Sequence, residues 1–234
     1  EHRGGRGRGI IAGGNTPSNL DTMTRIQIST TGNSVDFGNL TVARRGLGSS
    51  TNSSSTRGVF NNGYVSAYTT TLDYVTISSD GGASDFGDRQ NADGNSTGLS
   101  NGVRGLLAGG INASDVWTNV IEFFTIATTG DASDFGDMTR AQSHRASAAS
   151  PTRGVMMSGL YSGPTYNDEI DYVTIATTGN ALDFGDTTQA RGVGSGGGSA
   201  TRALAAGGIT PSKVDTIDYI TIATLGNSTD FGNL

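Results

Sequence analysis

Residues 170–185 read IDYVTIATTGNALDFG, and both halves of this stretch recur along the chain. The first half is rich in β-branched and aromatic residues and ends at Thr178 and Gly179, which is typical of a β-strand followed by a turn. The second half ends in the tripeptide Asp-Phe-Gly. This tripeptide occurs five times, with spacings of 49, 49, 49 and 47 residues, and it begins at Asp36, Asp85, Asp134, Asp183 and Asp230.

Two further markers keep the same period. An Arg followed by a small residue and an apolar run ending in Gly recurs with spacings of 49, 47, 49 and 49, beginning at Arg8, Arg57, Arg104, Arg153 and Arg202. The strand-and-turn segment that begins at Ile170 has counterparts beginning at Leu72, Ile121 and Ile217, with a degenerate first copy around Met23. Three markers in fixed order, five times over, indicate an internal repeat.

Each unit reads as four short antiparallel strands. In the fourth unit these are residues 152–159, residues 170–177, a short strand leading into Asp-Phe-Gly, and residues 187–193 bounded by the Gly/Ser stretch 194–199. No segment has the apolar spacing of an amphipathic helix over a useful length, so the chain is predicted to be all-β.

The central strand predicts how the units pack. Alternation sends Ile170 and Tyr172 to one face and Val173 and Ile175 to the other, so both faces carry apolar side chains. A sheet covered on both sides explains this pattern, and repeats of this length supply such cover in a β-propeller or in a stacked solenoid. Short strands joined by Gly turns favour the propeller, and five copies predict a closed ring of five blades.

The units are predicted to be residues 1–40, 41–89, 90–138, 139–187 and 188–234 of a single propeller domain. Residues 1–7 are expected to supply the leading strand that the first unit lacks, beside the first or the last blade. Because the chain begins with Glu, it is expected to be a processed product or part of a longer polypeptide.

Composition excludes several classes of protein. The chain has 37 Gly, 4 Pro, no Cys, 15% charged residues and a net charge of −6. Low charge and many β-branched residues exclude a disordered chain, and the absence of Cys excludes disulfide frameworks and thiolate metal sites. No apolar run approaches the ~20 residues that span a bilayer, so no membrane insertion is expected. The acidic balance argues against nucleic acid as a partner, and no cofactor is expected.

The markers resemble the kelch-type propeller repeat. They are the glycine pairs at 13–14, 109–110 and 207–208, the acid–Tyr pairs at 73–74, 171–172 and 218–219, the Phe of each Asp-Phe-Gly, and Arg44, Arg140 and Arg191. Phe stands where the kelch repeat has Trp, and the glycine pair is broken at Asn62-Gly63 and Ser158-Gly159. The fuller wording, with Tyr-Val-Thr-Ile-Ala-Thr-Thr-Gly before Asp-Phe-Gly, is similar to kelch-like repeats in virion structural and tail proteins of marine bacteriophages. This resemblance covers essentially the whole chain.

The recurring Arg and Asp residues suggest a structural role. We expect each Arg of the second marker (Arg8, Arg57, Arg104, Arg153, Arg202) to form a charge-assisted bond with an Asp of the tripeptide (Asp36, Asp85, Asp134, Asp183, Asp230) in its own or an adjacent blade. A functional site rarely needs five equivalent copies. A second acidic series, which is Asp73, Glu122, Asp171 and Asp218, has Thr24 in the first copy and is expected to matter less.

The candidate binding residues lie where the repeats differ. The loops 15–22, 64–71, 111–120, 160–169 and 209–216 differ in every copy, and strand alternation predicts that all five emerge on one rim. They carry five aromatic residues, which are Tyr64, Tyr68, Trp117, Tyr161 and Tyr166. Such rings beside Asn, Ser and Asp suit a sugar or a neighbouring protein, and unselected loop drift is the alternative.

Other motifs carry less. Asp-Phe-Gly lacks the flanking catalytic loop and lysine of a kinase. The Arg/Gly-rich residues 3–9 are better explained as strand and turn than as a nucleic-acid segment, and the Asp-rich turn at 183–186 lacks the spacing of a Ca²⁺ loop. For His2 and His144 a structural role is favoured over a metal-binding or nucleophilic one.

The resemblance implies a non-catalytic structural protein of a virion or extracellular surface, whose rim serves particle assembly or attachment to the host surface. The expected partners are other structural chains of a particle and, through the rim, host-surface glycans. A free-standing lectin-like propeller is the alternative. A hydrolase in the central channel is disfavoured, because no His-based or clustered-acid constellation stands outside the repeated residues.

Overall fold

A computed structural model of the chain describes residues 7–48, 53–163 and 165–234. These residues form five small antiparallel sheets arranged in a ring, and no α-helix occurs in the described ranges. The protein is an all-β, five-bladed β-propeller, which confirms the predicted fold class. No helix of the described residues could cross a membrane.

The first two blades have three strands each. Blade 1 contains β1 (Arg8–Ala12), β2 (Thr22–Gln27) and β3 (Val35–Asn39), and blade 2 contains β4 (Arg57–Asn61), β5 (Thr71–Thr76) and β6 (Ser84–Asp88). The strand predicted at residues 1–7 falls, except for Gly7, outside the described residues.

The other three blades have additional strands. Blade 3 contains β7 (Asp93–Gly94), β8 (Thr97–Ser100), β9 (Arg104–Asn112), β10 (Trp117–Thr125) and β11 (Ser133–Asp137). Blade 4 contains β12 (Ala146–Ala149), β13 (Arg153–Tyr161), β14 (Thr165–Thr174) and β15 (Leu182–Asp186). Blade 5 contains β16 (Ser195–Gly198), β17 (Arg202–Ala206), β20 (Thr216–Thr221) and β21 (Thr229–Asn233), with a small separate hairpin of β18 (Ile209–Thr210) and β19 (Ser212–Lys213).

The prediction of four strands in every blade is therefore wrong for blades 1 and 2, which have three each, and the prediction of a strand at 187–193 is wrong as well. The segment 187–193 was expected to be a strand, but the strand is β16, inside the Gly/Ser stretch. Its glycines have a packing reason: a Cβ on Gly196 would lie 2.3 Å from the backbone nitrogen of Ser147 in β12. The first strands of blades 4 and 5 approach too closely there for a side chain.

The Phe of each Asp-Phe-Gly is the extra residue of a β-bulge. In blade 4, Ile170 pairs with Gly185 and Asp171 pairs with Asp183, so Phe184 has no partner on the neighbouring strand. The same register shift occurs in the other four blades. A bulge redirects its side chain and bends the strand, and in blades 1 to 4 it turns the Phe toward the next blade.

The core lies between blades. Four clusters of buried apolar side chains occur, one at each junction between consecutive blades. At the junction of blades 3 and 4, for example, Phe135 of blade 3 packs with Val173, Ile175 and Ala181 of blade 4. The two apolar faces predicted for each central strand are thus buried by different neighbours.

Each junction joins two different surfaces. We call the first surface the Phe face: it carries the Phe of Asp-Phe-Gly and the marker Arg that begins an earlier strand of the same blade. We call the second surface, on the next blade, the Ile face: it carries the Ile that follows the central strand and the Gly of the turn after it. The Arg donates to the carbonyl of that Ile at 2.7–3.0 Å, in the pairs Arg8–Ile77, Arg57–Ile126, Arg104–Ile175 and Arg153–Ile222. The Gly amide donates to the Phe carbonyl at 2.6–2.9 Å, in the pairs Gly81–Phe37, Gly130–Phe86, Gly179–Phe135 and Gly226–Phe184.

A second contact repeats between consecutive blades, at positions 49 residues apart. Gly46, Asn95, His144 and Val193 all have left-handed backbones, with φ between 55° and 62°. The amide of His144 donates to the carbonyl of Asn95, and the amide of Val193 donates to the carbonyl of His144. These bonds link the segments that precede the marker Arg in blades 3, 4 and 5, which we call the lead-in segments.

Blades 5 and 1 do not repeat these contacts within the described residues. Phe231 is 54% exposed, whereas its four counterparts are 2–3% exposed. Ile28 of blade 1 is 65% exposed, whereas its counterparts Ile77, Ile126, Ile175 and Ile222 are at most 4% exposed. The five blades thus share four packed junctions and leave one Phe face and one Ile face exposed.

Candidate functional site

The variable segments predicted to form a rim join the strand that begins with the marker Arg to the central strand of each blade. Since each joins the same pair of strands, we take all five to lie on one face of the propeller, which we call the rim. In blades 1 and 2 they are true loops. In blades 3 and 4 the hairpin strands extend outward, so Trp117 begins β10, Tyr161 ends β13 and Tyr166 lies in β14. For these three aromatic residues the predicted loop is a strand.

Tyr64 and Tyr68 form an aromatic pair on the rim of blade 2. Their ring centroids lie 5.4 Å apart with the planes at 81°, which is the edge-to-face arrangement favoured by ring quadrupoles. The guanidinium of Arg45 lies 4.7 Å from the centroid of the Tyr64 ring. Both rings are half-buried, so part of each remains available to a ligand.

The surroundings of Tyr68 come from blade 3. A Cβ on Gly94 would lie 2.3 Å from the Tyr68 ring, so glycine is needed for the ring to seat there. Burial raises the pKa of Tyr68, and the nearby carboxylate of Asp115 adds to this increase. Asp115 is exposed in the 113–116 turn, with a φ of 57°. The pair therefore lies between an arginine and an aspartate, across the rim of blades 2 and 3.

The aromatic residues of blade 4, Tyr161 and Tyr166, lie on the extended hairpin of β13 and β14. The Arg140 guanidinium lies 4.6 Å from the Tyr161 ring centroid and donates to Glu169 at 2.8 Å. Burial works against ionisation of Glu169, but hydrogen bonds from Asn167 and Arg140 lower its pKa overall. Tyr166 pairs across the hairpin with Leu160.

Trp117 is partly buried opposite Ile111, and its indole Nε1 has no hydrogen-bond partner within the described part of the chain. Of the five predicted aromatic residues, the structure brings Tyr64 and Tyr68 into contact. It leaves the other three on blades 3 and 4.

The predicted pairing of the marker arginines with the Asp-Phe-Gly aspartates is not found in the described ranges. Arg8 pairs with Asp80 of blade 2 at 3.1 Å rather than with an Asp of the tripeptide. Arg57, Arg104 and Arg153 donate to the Ile carbonyls of the next blade. The guanidinium groups of Arg57, Arg104, Arg153 and Arg202 also lie 4.2–4.7 Å from the centroids of Tyr74, Phe123, Tyr172 and Tyr219.

The tripeptide aspartates have a local role instead. The carboxylates of Asp85, Asp183 and Asp230 accept the amide of the glycine two residues later, at 3.0–3.3 Å. In every blade this Asp is exposed, and it is next to the bulged Phe. An exposed carboxylate that supports its own bulge has no need of an arginine.

The acidic series expected to matter less forms the buried ion pairs. The pairs are Arg44–Asp73 at 2.7 Å, Arg89–Glu122, Arg145–Asp171, and Arg191–Asp218 at 2.8 Å, and each is essentially inaccessible to solvent. Threonine hydroxyls complete three of these carboxylate sites at 2.5–2.6 Å, from Thr41, Thr139 and Thr188. A buried carboxylate requires such partners.

These pairs could not be predicted from the repeat, because the arginine that forms them stands at a different position in different copies. Counting from the Gly of the preceding Asp-Phe-Gly, Arg44 and Arg191 stand at the sixth position after it, Arg89 at the second and Arg145 at the ninth. Glutamine and aspartate occupy the sixth position in the other two copies, at Gln142 and Asp93. Arg140, one of the three residues in the kelch resemblance, forms the partly exposed pair with Glu169 instead.

Arg89 serves two carboxylates, those of Glu122 and Asp93. Burial raises the pKa of Asp93 to about 7, opposed by Arg89 and assisted by the charge of Glu122. Asn62 also donates to Asp93 at 2.8 Å. One arginine between two buried acids leaves an excess negative charge, so a proton on Asp93 is favoured up to neutral pH.

A cavity of about 200 Å³ is lined by residues of several blades, which are Leu47, Asn95, Ser96, His144, Arg145, Val193 and Gly194. His144 contacts the Ser143 hydroxyl at 2.8 Å, and burial lowers the pKa of its imidazole. Arg145 is already paired with Asp171. The cavity therefore offers a neutral imidazole, an amide and a hydroxyl, with no carboxylate among its lining residues.

The described residues contain no group of three His, Asp or Glu side chains placed to hold a metal ion. Their buried carboxylates Asp73, Glu122, Asp171 and Asp218 are bound by arginine inside the scaffold. The rim pair Tyr64–Tyr68 is the candidate binding site that the geometry favours most. Comparison with known protein families and with curated proteins finds no match to this chain.

Proposed function

We propose that this protein is a non-catalytic structural protein of a virion or similar surface, and that its rim attaches to surface glycans. The observation that carries the proposal is the Tyr64–Tyr68 pair, with rings 5.4 Å apart and partly exposed on a loop that differs from those of the other blades. Aromatic faces receive the apolar face of a sugar ring, and nearby charged groups can bond its hydroxyls. Arg45 and Asp115 supply those groups.

The setting on a particle rests on the resemblance of the repeat motifs, described above from the sequence, to virion structural proteins. Rim contacts with neighbouring chains would serve assembly there. The alternative is a free-standing lectin-like propeller, which would use the same Tyr pair without being part of a particle. The two proposals differ in where the protein is found and share the binding site.

The binding site is tested by probing the purified chain on a glycan array and titrating the strongest ligand by calorimetry. Tyr64→Ala and Tyr68→Ala are each expected to weaken binding at least about tenfold, since a lost ring contact costs on the order of 1.4 kcal/mol. Tyr166→Ala, on the rim of blade 4, is the matched control and should bind like the parent. Absence of any glycan ligand, or binding that neither Tyr substitution weakens, would contradict the proposed site.

The proposal that the protein is part of a particle is tested with antibodies raised against the chain and applied to purified virus particles that contain its gene. Labelling of intact particles supports the structural protein. Glycan binding together with unlabelled particles supports the free-standing lectin.

A further inference from the structure

The exposed faces of blades 1 and 5 are the two halves of the junction that this chain forms four times. At each packed junction, a Phe face with its Arg donor meets an Ile face with its carbonyl acceptor. Among the described residues, none packs on the Phe face of blade 5 or on the Ile face of blade 1 as at the four junctions. The two surfaces are therefore complementary, because they have the same residues as the two sides of each packed junction or close equivalents of them.

Within the described residues, the Phe face of blade 5 keeps the contacts inside its own blade, such as Tyr219 with Phe231, and lacks the contacts that its counterparts make with a following blade. Phe231 and Leu234 are exposed, Leu234 by 77%, although Leu40 at the equivalent position in blade 1 is buried. The Arg202 guanidinium contacts the Tyr219 ring, as its counterparts contact theirs, but within the described ranges it has no carbonyl acceptor.

The glycine of this face gives independent evidence. A Cβ on Gly38, Gly87, Gly136 or Gly185 would lie 2.3–2.6 Å from the backbone of the next blade, whereas a Cβ on Gly232 would meet no described residue within 4 Å. Gly232 nevertheless has a φ of 137°, as in the other copies. Blade 5 therefore keeps the bulge geometry of the other blades and has open space where they meet the next blade.

The Ile face of blade 1 is likewise not covered by any of the described residues. Ile11, Ile26 and Ile28 are all exposed. Their counterparts in the other four blades are all buried: Phe60, Leu107, Met156 and Ala205 for Ile11; Val75, Phe124, Val173 and Ile220 for Ile26; Ile77, Ile126, Ile175 and Ile222 for Ile28. An apolar patch of this kind on a sheet face marks an interaction surface.

We propose that the Phe face of blade 5 binds the Ile face of blade 1 of a second copy of this chain. Phe231 would pack on Ile26 and Ile28, and Arg202 would donate to the carbonyl of Ile28, as at the four internal junctions. The contact is head-to-tail, because it joins different surfaces of two identical chains. Such contacts build rings or filaments, depending on whether the rotation closes. This proposal is independent of glycan binding at the rim.

Analytical ultracentrifugation over a range of concentrations tests the association, with Phe231→Asp and Ile28→Asp as variants. The parent chain is expected to self-associate, and each variant to weaken that association at least about 30-fold, as buried interface anchors do. Val103→Asp is the matched control, because Val103 is an exposed apolar residue outside both faces. Circular dichroism checks that all variants are folded.

Mixing the two variants gives the decisive measurement. The Phe231→Asp chain keeps an intact Ile face and the Ile28→Asp chain keeps an intact Phe face, so an equimolar mixture should form a one-to-one dimer and nothing larger. A parent chain that stays monomeric would overturn the proposal, as when its own blades 5 and 1 close on each other or when a different chain covers the faces. Association that survives both substitutions, or a mixture that stays monomeric, would overturn it too.

Discussion

Arg145 and Asp171 form a fully buried ion pair between the lead-in segment and the central strand of blade 4. Arg145 also donates to the backbone carbonyls of Ser158 and Met156, at 2.7 and 2.8 Å. One guanidinium thus connects three parts of the blade. Equivalent acids in blades 2, 3 and 5 receive an arginine in the same way.

Removing one partner of this pair should be costly. Arg145→Met is expected to lower the free energy of unfolding by about 3–5 kcal/mol, because it leaves the Asp171 carboxylate buried without a cation. Arg140→Met is the matched control: its partly exposed pair with Glu169 predicts a loss of about 0–1 kcal/mol. Urea denaturation measures both. Equal effects of the two substitutions would contradict the structural role of the buried pair.

The close approach of consecutive blades can be isolated with two glycines of the same conformation. Gly136 and Gly232 have φ of 140° and 137°, but only a Cβ on Gly136 would meet the next blade, 2.6 Å from the backbone of Gly179. Gly232→Ala should cost about 1–3 kcal/mol from backbone strain. Gly136→Ala should cost at least about 1–3 kcal/mol more from overpacking. Thermal unfolding at low protein concentration compares them, and similar losses would show that the blades can separate at little cost.

The backbone of Val193 is strained by its left-handed conformation. It is a β-branched, half-exposed residue with a φ of 62°, where the equivalent positions carry Gly46 and Asn95. Val193→Asn should raise the free energy of unfolding by about 1 kcal/mol, since asparagine tolerates the left-handed region better. Val103→Asn, at an exposed valine without positive φ, is the control and should give no gain. The midpoints of denaturant unfolding of the two variants and the parent test this prediction. Destabilisation by Val193→Asn would contradict the proposed backbone strain at Val193.

Asp93 should make stability depend on pH. Its native pKa of about 7 lies above the value of about 3.9 expected in the unfolded chain, so between these values the native state holds a proton that the unfolded state has released. The contribution is therefore complete below about pH 4 and is lost as the pH rises through about 7, by up to about 4 kcal/mol.

Asp93→Asn should remove this dependence and make the variant relatively more stable at pH 8 than at pH 4. The difference in unfolding free energy between parent and variant, measured by urea titration across this range, tests the prediction. Asp215→Asn, at an exposed aspartate, is the control and should leave the pH profile unchanged. A parallel profile for the parent and Asp93→Asn would place the ionisation of Asp93 outside this range.

Local sequence was enough to predict the repeat, the strand around Ile170–Thr174, and the burial of both faces of each sheet by neighbouring units. Alternation, turn residues and period are properties of neighbouring residues, so they can be read without knowing what packs on them. The β-bulge was not predicted, although Gly185 after Phe184 was its signal: the positive φ of that glycine becomes meaningful only with the register shift on β14.

The pairing of charges could not be read from the repeat. Arg57 and Asp85 recur with a constant period, which suggested a bond, yet they lie in different surroundings: Arg57 bonds Ile126 of the next blade and Asp85 supports its own bulge. Arg145 breaks the period and still reaches the acid. Constant spacing shows that a residue recurs, whereas a contact depends on where two distant segments meet.

The sequence by itself determined that five similar sheets, apolar on both sides, must cover one another, because strand alternation places apolar groups on both faces of each. Only the tertiary structure decided which arginine neutralises which buried acid, that Tyr64 and Tyr68 meet, and that Phe231 and Ile28 are exposed where their counterparts are buried. These outcomes depend on the distances between segments far apart in the chain, which the order of residues does not specify.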